Sequence, residues 1–182
     1  MADISVAALA MVDAEPDRVR RSLADYREFR PRILTPRFSG YEVLEGGQGS
    51  GTRVRWTLNP GRWIKRRARV WDISSEEVDD ALVERDTNSS AVLTWTVVPA
   101  PDGRSAVKLT LEYAATDGLS GSRAHAQGNR ERRLYGEMLF ELRKRFAEDP
   151  NSGKDVTDNS NGAGSVAADE VSEPSGPTDP GR

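Results

Sequence analysis

Residues 134–146 read Leu-Tyr-Gly-Glu-Met-Leu-Phe-Glu-Leu-Arg-Lys-Arg-Phe, and their spacing predicts an amphipathic helix. At about 100° per residue, Leu134, Tyr135, Met138, Leu139, Leu142 and Phe146 fall within an arc of about 140°. Charged Arg133, Glu137, Glu141 and Lys144 take the other side, where Phe140 alone is out of place. Gly136, also on that side, weakens the helix by only about 1 kcal/mol. The pattern supports a helix of about three to five turns, in a covering segment that begins near Ser120. A stripe of this width needs an apolar surface to lie on.

The preceding residues supply one. Tyr41–Glu45 reads as a strand, Gly46–Gly51 as a glycine-rich hairpin loop, and Thr52–Leu58 as the returning strand. Asn59-Pro60-Gly61 signals a turn. Ile64–Ile73, Ala81–Asp86, Ala91–Val98 and Val107–Tyr113 continue the series, punctuated at Asn88–Ser90 and Pro99–Gly103. Short strands joined by tight turns predict an antiparallel meander. Val54, Trp56 and Leu58 alternate with Arg53, Arg55 and Thr57; Leu93, Trp95 and Val97 with Thr94 and Thr96; Val107, Leu109, Leu111 and Tyr113 with Lys108, Thr110 and Glu112. One face is wet and the other must be covered. Strand 64–73 fits poorly: Ala68 and Val70 share a phase with Arg66 and Asp72, while Trp71 falls with Lys65, Arg67 and Arg69. A bulge or shifted register is expected there.

Upstream, Ile4–Asp13 reads as a strand with Ile4, Val6, Ala8, Ala10 and Val12 on one face. Pro16 suits the first turn of a helix, with Asp17 near its positive end and Val19, Leu23 and Tyr26 packing on one side. Tyr26–Leu34 gives a second, short helical turn that Pro36 stops.

This order of elements resembles the START-like (SRPBCC) superfamily, and within it the polyketide cyclase/dehydratase and lipid-transport branch. The likeness is carried by Val12-Asp-Ala-Glu-Pro-Asp-Arg-Val19, Asp25-Tyr-Arg-Glu-Phe-Arg-Pro31, Gly46-Gly-Gln-Gly-Ser-Gly-Thr-Arg-Val-Arg-Trp56, and Thr87-Asn-Ser-Ser90 leading to Thr94-Trp-Thr-Val97. It covers residues 4–147 and contains no catalytic signature. The resemblance implies an α+β helix-grip fold: a curved seven-stranded antiparallel sheet wrapped around a long C-terminal helix, with two short helices after the first strand. It also implies an apolar cavity for a lipid, polyketide, sterol or hormone, in which a minority of members do chemistry.

On this reading Trp56, Leu58, Val70, Leu93, Trp95, Leu109, Leu111, Tyr113, Tyr135, Met138 and Leu142 line the space between sheet and helix, as core or as pocket wall. Trp and Tyr suit such walls, offering apolar area and one donor each. Tyr113 and Tyr135 are candidate donors to a ligand oxygen, and Arg66 and Asp72 join them as candidates for orienting a ligand if the register holds, being otherwise surface charges; in an enzyme, Tyr113, Tyr135 or Arg66 would polarise a carbonyl. His125, the only histidine, is of the residue type suited to general-base chemistry but sits in a Gly/Ser-rich approach to the helix, which favours a solvated loop residue. With no cysteine, one histidine and no HExxH spacing, no metal and no other cofactor is expected. The Gly46–Gly51 run is not a phosphate loop, because a strand follows it and no Gly-Lys-Ser/Thr is present.

The most basic run, Arg62-Trp-Ile-Lys-Arg-Arg-Ala-Arg69, together with Arg53 and Arg55, offers RNA or anionic lipid an attractive surface, or pairs with Glu84 and Glu112 across strands. Cross-strand pairing is the simpler account. Of 26 basic and 29 acidic residues, two and six fall in 150–182, which leaves residues 1–149 at net +1. A balance this near neutral argues against a dedicated nucleic-acid binder. From Pro150 the chain has no aromatic residue and no Leu, Ile or Met, so 1–149 reads as one domain and 150–182 as a disordered acidic tail. No apolar run approaches the ~20 residues of a membrane span, and Ala7–Val12 is a poor signal peptide, so a cytoplasmic protein is expected. The partner expected is a hydrophobic small molecule held by a carrier or sensor. The alternatives are a cyclase or dehydratase on a polyketide-like substrate, or an interaction protein using the basic face. Oligomeric state is not legible.

Overall fold

In the computed structural model, which describes residues 3–59, 68–114 and 121–148, the chain runs β1 (Asp3–Val12), α1 (Pro16–Ala24), α2 (Arg30–Ile33), β2 (Phe38–Glu45), β3 (Arg53–Leu58), β4 (Arg69–Val78), β5 (Ala81–Asp86), β6 (Val92–Ala100), β7 (Arg104–Ala114) and α3 (Gly121–Glu148). Arg66, the rest of the basic run at 62–67, and the segment 150–182 lie outside the described residues.

Seven strands form one antiparallel sheet in the order β1-β7-β6-β5-β4-β3-β2. β2 through β7 make the expected meander. The segment carrying α1 and α2 takes the chain from β1 at one edge to β2 at the other. Val6 and Val12 on β1, Val54 and Trp56 on β3, Leu93, Trp95 and Val97 on β6, and Val107, Leu109 and Leu111 on β7 are all buried, as their alternation requires. α3 is 28 residues long, about 42 Å, and extends well N-terminal of its apolar stripe. Leu134, Tyr135, Met138, Leu139, Leu142 and Phe146 are buried, whereas Phe140 is 62% exposed. This is the helix-grip arrangement. Among the described residues no helix is long and apolar enough to cross a membrane.

Three expectations are corrected. β4 pairs with β3 in unbroken register, with Trp71 opposite Trp56, and that pairing fixes its phase. Trp71, Ile73 and Ser75 face inward, so Val70 is 48% exposed on the outer face and does not line the cavity. Burying two tryptophans outweighs burying Val70 and Ala68, and Arg69 is accommodated by lying 4.2 Å over the Trp71 ring. Asp72 likewise points outward, where it accepts from Arg55 at 2.6 Å and 3.3 Å. The irregularities fall instead between β2 and β3, at Ser39/Glu42 and Val43/Glu45. Second, Arg53 and Arg55 pair with Glu45 and Asp72, not with Glu84, which is fully buried on the opposite face. Third, His125 is an exposed residue of α3 itself, not of a loop preceding it.

The Gly46–Gly51 hairpin loop is docked on the α1–α2 connection. Gly47 accepts from the Tyr26 amide at 3.0 Å, donates to Thr52 Oγ1 at 3.0 Å, and has φ +129°. A Cβ there would lie 2.3 Å from Arg27 Nε. Gly47→Ala is therefore expected to lower stability by about 1–3 kcal/mol in urea denaturation, mainly through backbone strain. A loss below about 0.5 kcal/mol would show that the loop relaxes freely.

Candidate functional site

The site is built on the concave face of the sheet, under α2 and α3. Trp56 and Leu58 from β3, Leu93 from β6, and Tyr135 and Met138 from α3 meet around one small cavity. Arg30, Leu34, Phe38, Tyr41, Trp71 and Glu84 complete its wall, and none of these six was singled out from the sequence as lining it. Tyr41 stacks on Trp56 at 6.1 Å with 5° between ring planes, and Phe38 meets the same indole edge-on at 6.2 Å. The cavity leaves about 10 Å³ for the centre of a water-sized guest. Trp95, Leu109, Leu111 and Leu142 are buried but do not line it; they belong to the core beneath. Trp95 and Leu82 also wall an open cleft of 360 Å³ under α1, rimmed by Arg20, Arg21, Glu77, Asp79 and Asp80.

At the closed end of the small cavity lies a buried polar cluster. Glu84 is completely buried and accepts from Tyr26 Oη at 2.7 Å, from Trp95 Nε1 at 3.1 Å and from Arg30 Nη2. The Arg30 guanidinium lies 4.5 Å over the Trp95 ring and 5.2 Å over the Tyr26 ring. Burial, the largest influence, works to lower its pKa, but the adjacent Glu84 carboxylate together with Tyr26 and Tyr41 outweighs it and the pKa is raised. Tyr41 Oη donates to the Tyr26 carbonyl at 2.7 Å, tying β2 to the same cluster.

A second cluster occupies the other end of the concave face. Tyr113 Oη donates to Glu131 Oε2 at 2.8 Å, and Gln127 Nε2 donates to Glu131 Oε1 at 3.3 Å. Arg69 Nη2 reaches Asp86 Oδ2 at 3.0 Å and Ser89 Oγ at 2.5 Å, and Ser89 Oγ donates to Asp86 Oδ2 at 2.6 Å. Tyr113 and Tyr135 were both expected on this face and both are there. Of the two, only Tyr135 lines the small cavity. Arg66 lies outside the described residues. Exposed His125 contributes no general base to the cavity wall. Among the described residues no group of three or more His, Cys, Asp and Glu side chains is arranged to hold a metal ion.

The sequence did carry a signal for Glu84. In Ala81–Asp86, Leu82, Glu84 and Asp86 share a phase, but Ala81 and Val83 make the opposite phase at least as apolar, so the signal was ambiguous. No comparable signal marked Arg30, because α2 has only four residues and shows no period.

All four tyrosines of the chain have phenols pushed above the ordinary range, first by burial and then by carboxylates such as Glu84 or Glu131. They are hydrogen-bond donors, not bases. The folded chain keeps protons that the unfolded chain releases near about pH 10. Their contribution to stability is therefore full below that pH and is lost as pH rises above it. Phenolate absorbance is expected to appear together with cooperative unfolding. A gradual phenolate titration in a still-folded protein would contradict the burial described.

The family described as polyketide cyclase/dehydrase and lipid transport matches residues 3–147. The solution structure of the KanY protein is 34% identical, with a TM-score of 0.70 over 81% of this chain and 99% of that one. TTHA0849 from Thermus thermophilus is 21% identical, with a TM-score of 0.61 over 80% and 98%. The Zhui aromatase/cyclase from Streptomyces sp. R1128 is 19% identical, with a TM-score of 0.53 over 80% and 96%; at these last two identities the likeness is one of fold. No functionally curated protein matches the sequence. With the helix-grip sheet, the α3 cover and a match over residues 3–147, this chain belongs to the polyketide cyclase/dehydrase and lipid-transport family of SRPBCC-type, hydrophobic-ligand-binding folds.

Proposed function

We propose that the chain binds or carries a lipid- or polyketide-like molecule on the concave face between the sheet and α3. The observation that carries this reading is the cavity wall itself: Trp56, Trp71, Tyr41, Tyr135 and Met138 converge where a plain core would place branched aliphatics. A guest larger than water requires the wall to yield, and unbranched, flexible Met138 and half-buried Leu34 are its softest parts. Residues 1–149 form the binding domain in this reading, and 150–182 a tail outside it.

Native mass spectrometry of the protein purified from its own host, followed by solvent extraction, tests the proposal. An apolar molecule that co-purifies and is released on denaturation is the expected result. Consistently ligand-free protein that also takes up no hydrophobic probe would overturn it.

A second reading, a cyclase or dehydratase, is favoured by the Tyr113–Glu131 contact, which puts a phenol donor beside a carboxylate at one end of the face. It has no histidine on the cavity wall to act as base. Should a substrate be found, full turnover by both Tyr113→Phe and Tyr135→Phe would remove these phenols as catalytic donors.

A further inference from the structure

Two buried donors of residues on the cavity wall have no partner among the described residues: Arg30 Nη1 and Trp71 Nε1. Their residues are only 2% and 4% exposed, and both line the same cavity. Guanidinium and indole N–H groups donate and never accept, so what this wall lacks is an acceptor. Buried donors left unpaired are costly, and native structures keep few of them without a reason. The nearby acceptor is already engaged: Glu84 receives Tyr26 and Arg30 on one oxygen and Trp95 on the other. Arg30 is also held in place, by Glu84 and by contact with the Trp95 and Tyr26 rings, so its guanidinium is positioned before any ligand arrives.

The charge balance narrows the class of acceptor. Arg30 and Glu84 cancel, and the neighbouring Tyr26 and Tyr41 phenols are held neutral. A ligand carboxylate would add a negative charge with no spare countercharge in a site where desolvation is expensive. A neutral sp² oxygen brings acceptor capacity without charge.

We propose that the closed end of this cavity binds the neutral carbonyl oxygen of an otherwise apolar ligand, a ketone in preference to a free fatty acid, through Arg30 Nη1 and Trp71 Nε1. This rests on the hydrophobic-ligand reading above and adds to it a polar anchor and a ligand class.

Three matched probes titrated into the full chain at pH 7 separate the two levels: 2-acetylnaphthalene, 2-isopropenylnaphthalene and 2-naphthoate share one ring system and differ in the acceptor. The ketone is expected to bind about tenfold or more tighter than the alkene, and the carboxylate no tighter than the alkene. Trp71→Phe keeps an aromatic ring and removes the donor. It is expected to reduce the ketone's advantage over the alkene about tenfold, a ratio that cancels whatever the altered wall does to both probes. Equal binding of ketone and alkene by the unaltered protein would overturn the carbonyl anchor but leave the apolar pocket standing. Preference for 2-naphthoate would overturn the neutral-ligand assignment. Failure of all three probes to bind would overturn the pocket and the anchor together.

Discussion

Glu84→Leu is expected to lower the stability of the protein by about 3–5 kcal/mol, read as a shift in urea midpoint at unchanged slope. Leucine is no smaller than glutamate, so no cavity is opened. The loss is electrostatic: Arg30, itself 2% exposed, keeps a full positive charge with no counterion, and the Tyr26 hydroxyl and Trp95 indole lose their acceptor at the same moment. Arg30→Met produces the mirror image, a buried carboxylate without its cation. The double variant Glu84→Leu/Arg30→Met strands neither charge and should recover at least about 1–2 kcal/mol of the summed losses, because the two residues act as one unit. A single-variant loss below about 1 kcal/mol, or strictly additive losses, would mean that water satisfies Arg30 and that the cluster is not the closed end of a dry cavity.

That cluster also marks where the sequence stopped being readable. β3, β6 and β7 were legible because each alternates large apolar residues with arginine, lysine or threonine, so only one phase can face a core. β4 was not, since Arg69-Val70-Trp71-Asp72 puts one apolar and one charged residue in either phase. The decision is made by Trp56 across the ladder, a tertiary fact that no period contains. Glu84 was misread for the opposite reason. A carboxylate on a strand is ordinarily solvated, and only the arrival of Arg30 and Tyr26, more than fifty residues upstream, makes its burial tolerable. The stripe from Leu134 to Phe146 was correctly placed, but the N-terminal extension of α3 was not. Residues 125–133 are almost all polar, so the helix carries no amphipathic signature there. The consequence for the site is specific. Trp56, Leu58, Leu93, Tyr135 and Met138 could be named in advance as lining the cavity, whereas Leu34, Phe38, Tyr41 and Trp71 could not, and the polar groups came from a four-residue helix and from strand phases that the pattern left ambiguous.

Met138→Ala tests whether the wall is a pocket or simply a core, because the two accounts predict opposite responses to a ligand. Met138 is 3% exposed on α3 and borders the same cavity as the two tryptophans of β3 and β4. Truncation adds its side-chain volume to space already present, which should lower stability by about 2–5 kcal/mol through lost burial and an enlarged void. If the concave face receives a hydrophobic guest, the same truncation relieves the constriction. The variant should then bind 2-acetylnaphthalene more tightly than the unaltered protein, and saturating probe should restore about 2.7 kcal/mol at a hundred times the Kd. Phe140→Ala, on the outer side of the same helix, where the ring is 62% exposed, controls for effects on α3 as a whole and should change stability by no more than about 0.5 kcal/mol. In a solid core the void left by one truncated side chain is too small for a naphthalene ring system, the probe stays out, and the melting deficit of Met138→Ala is the same with and without it. A deficit that probe reverses ties the loss of packing to the gain of a binding site at one side chain.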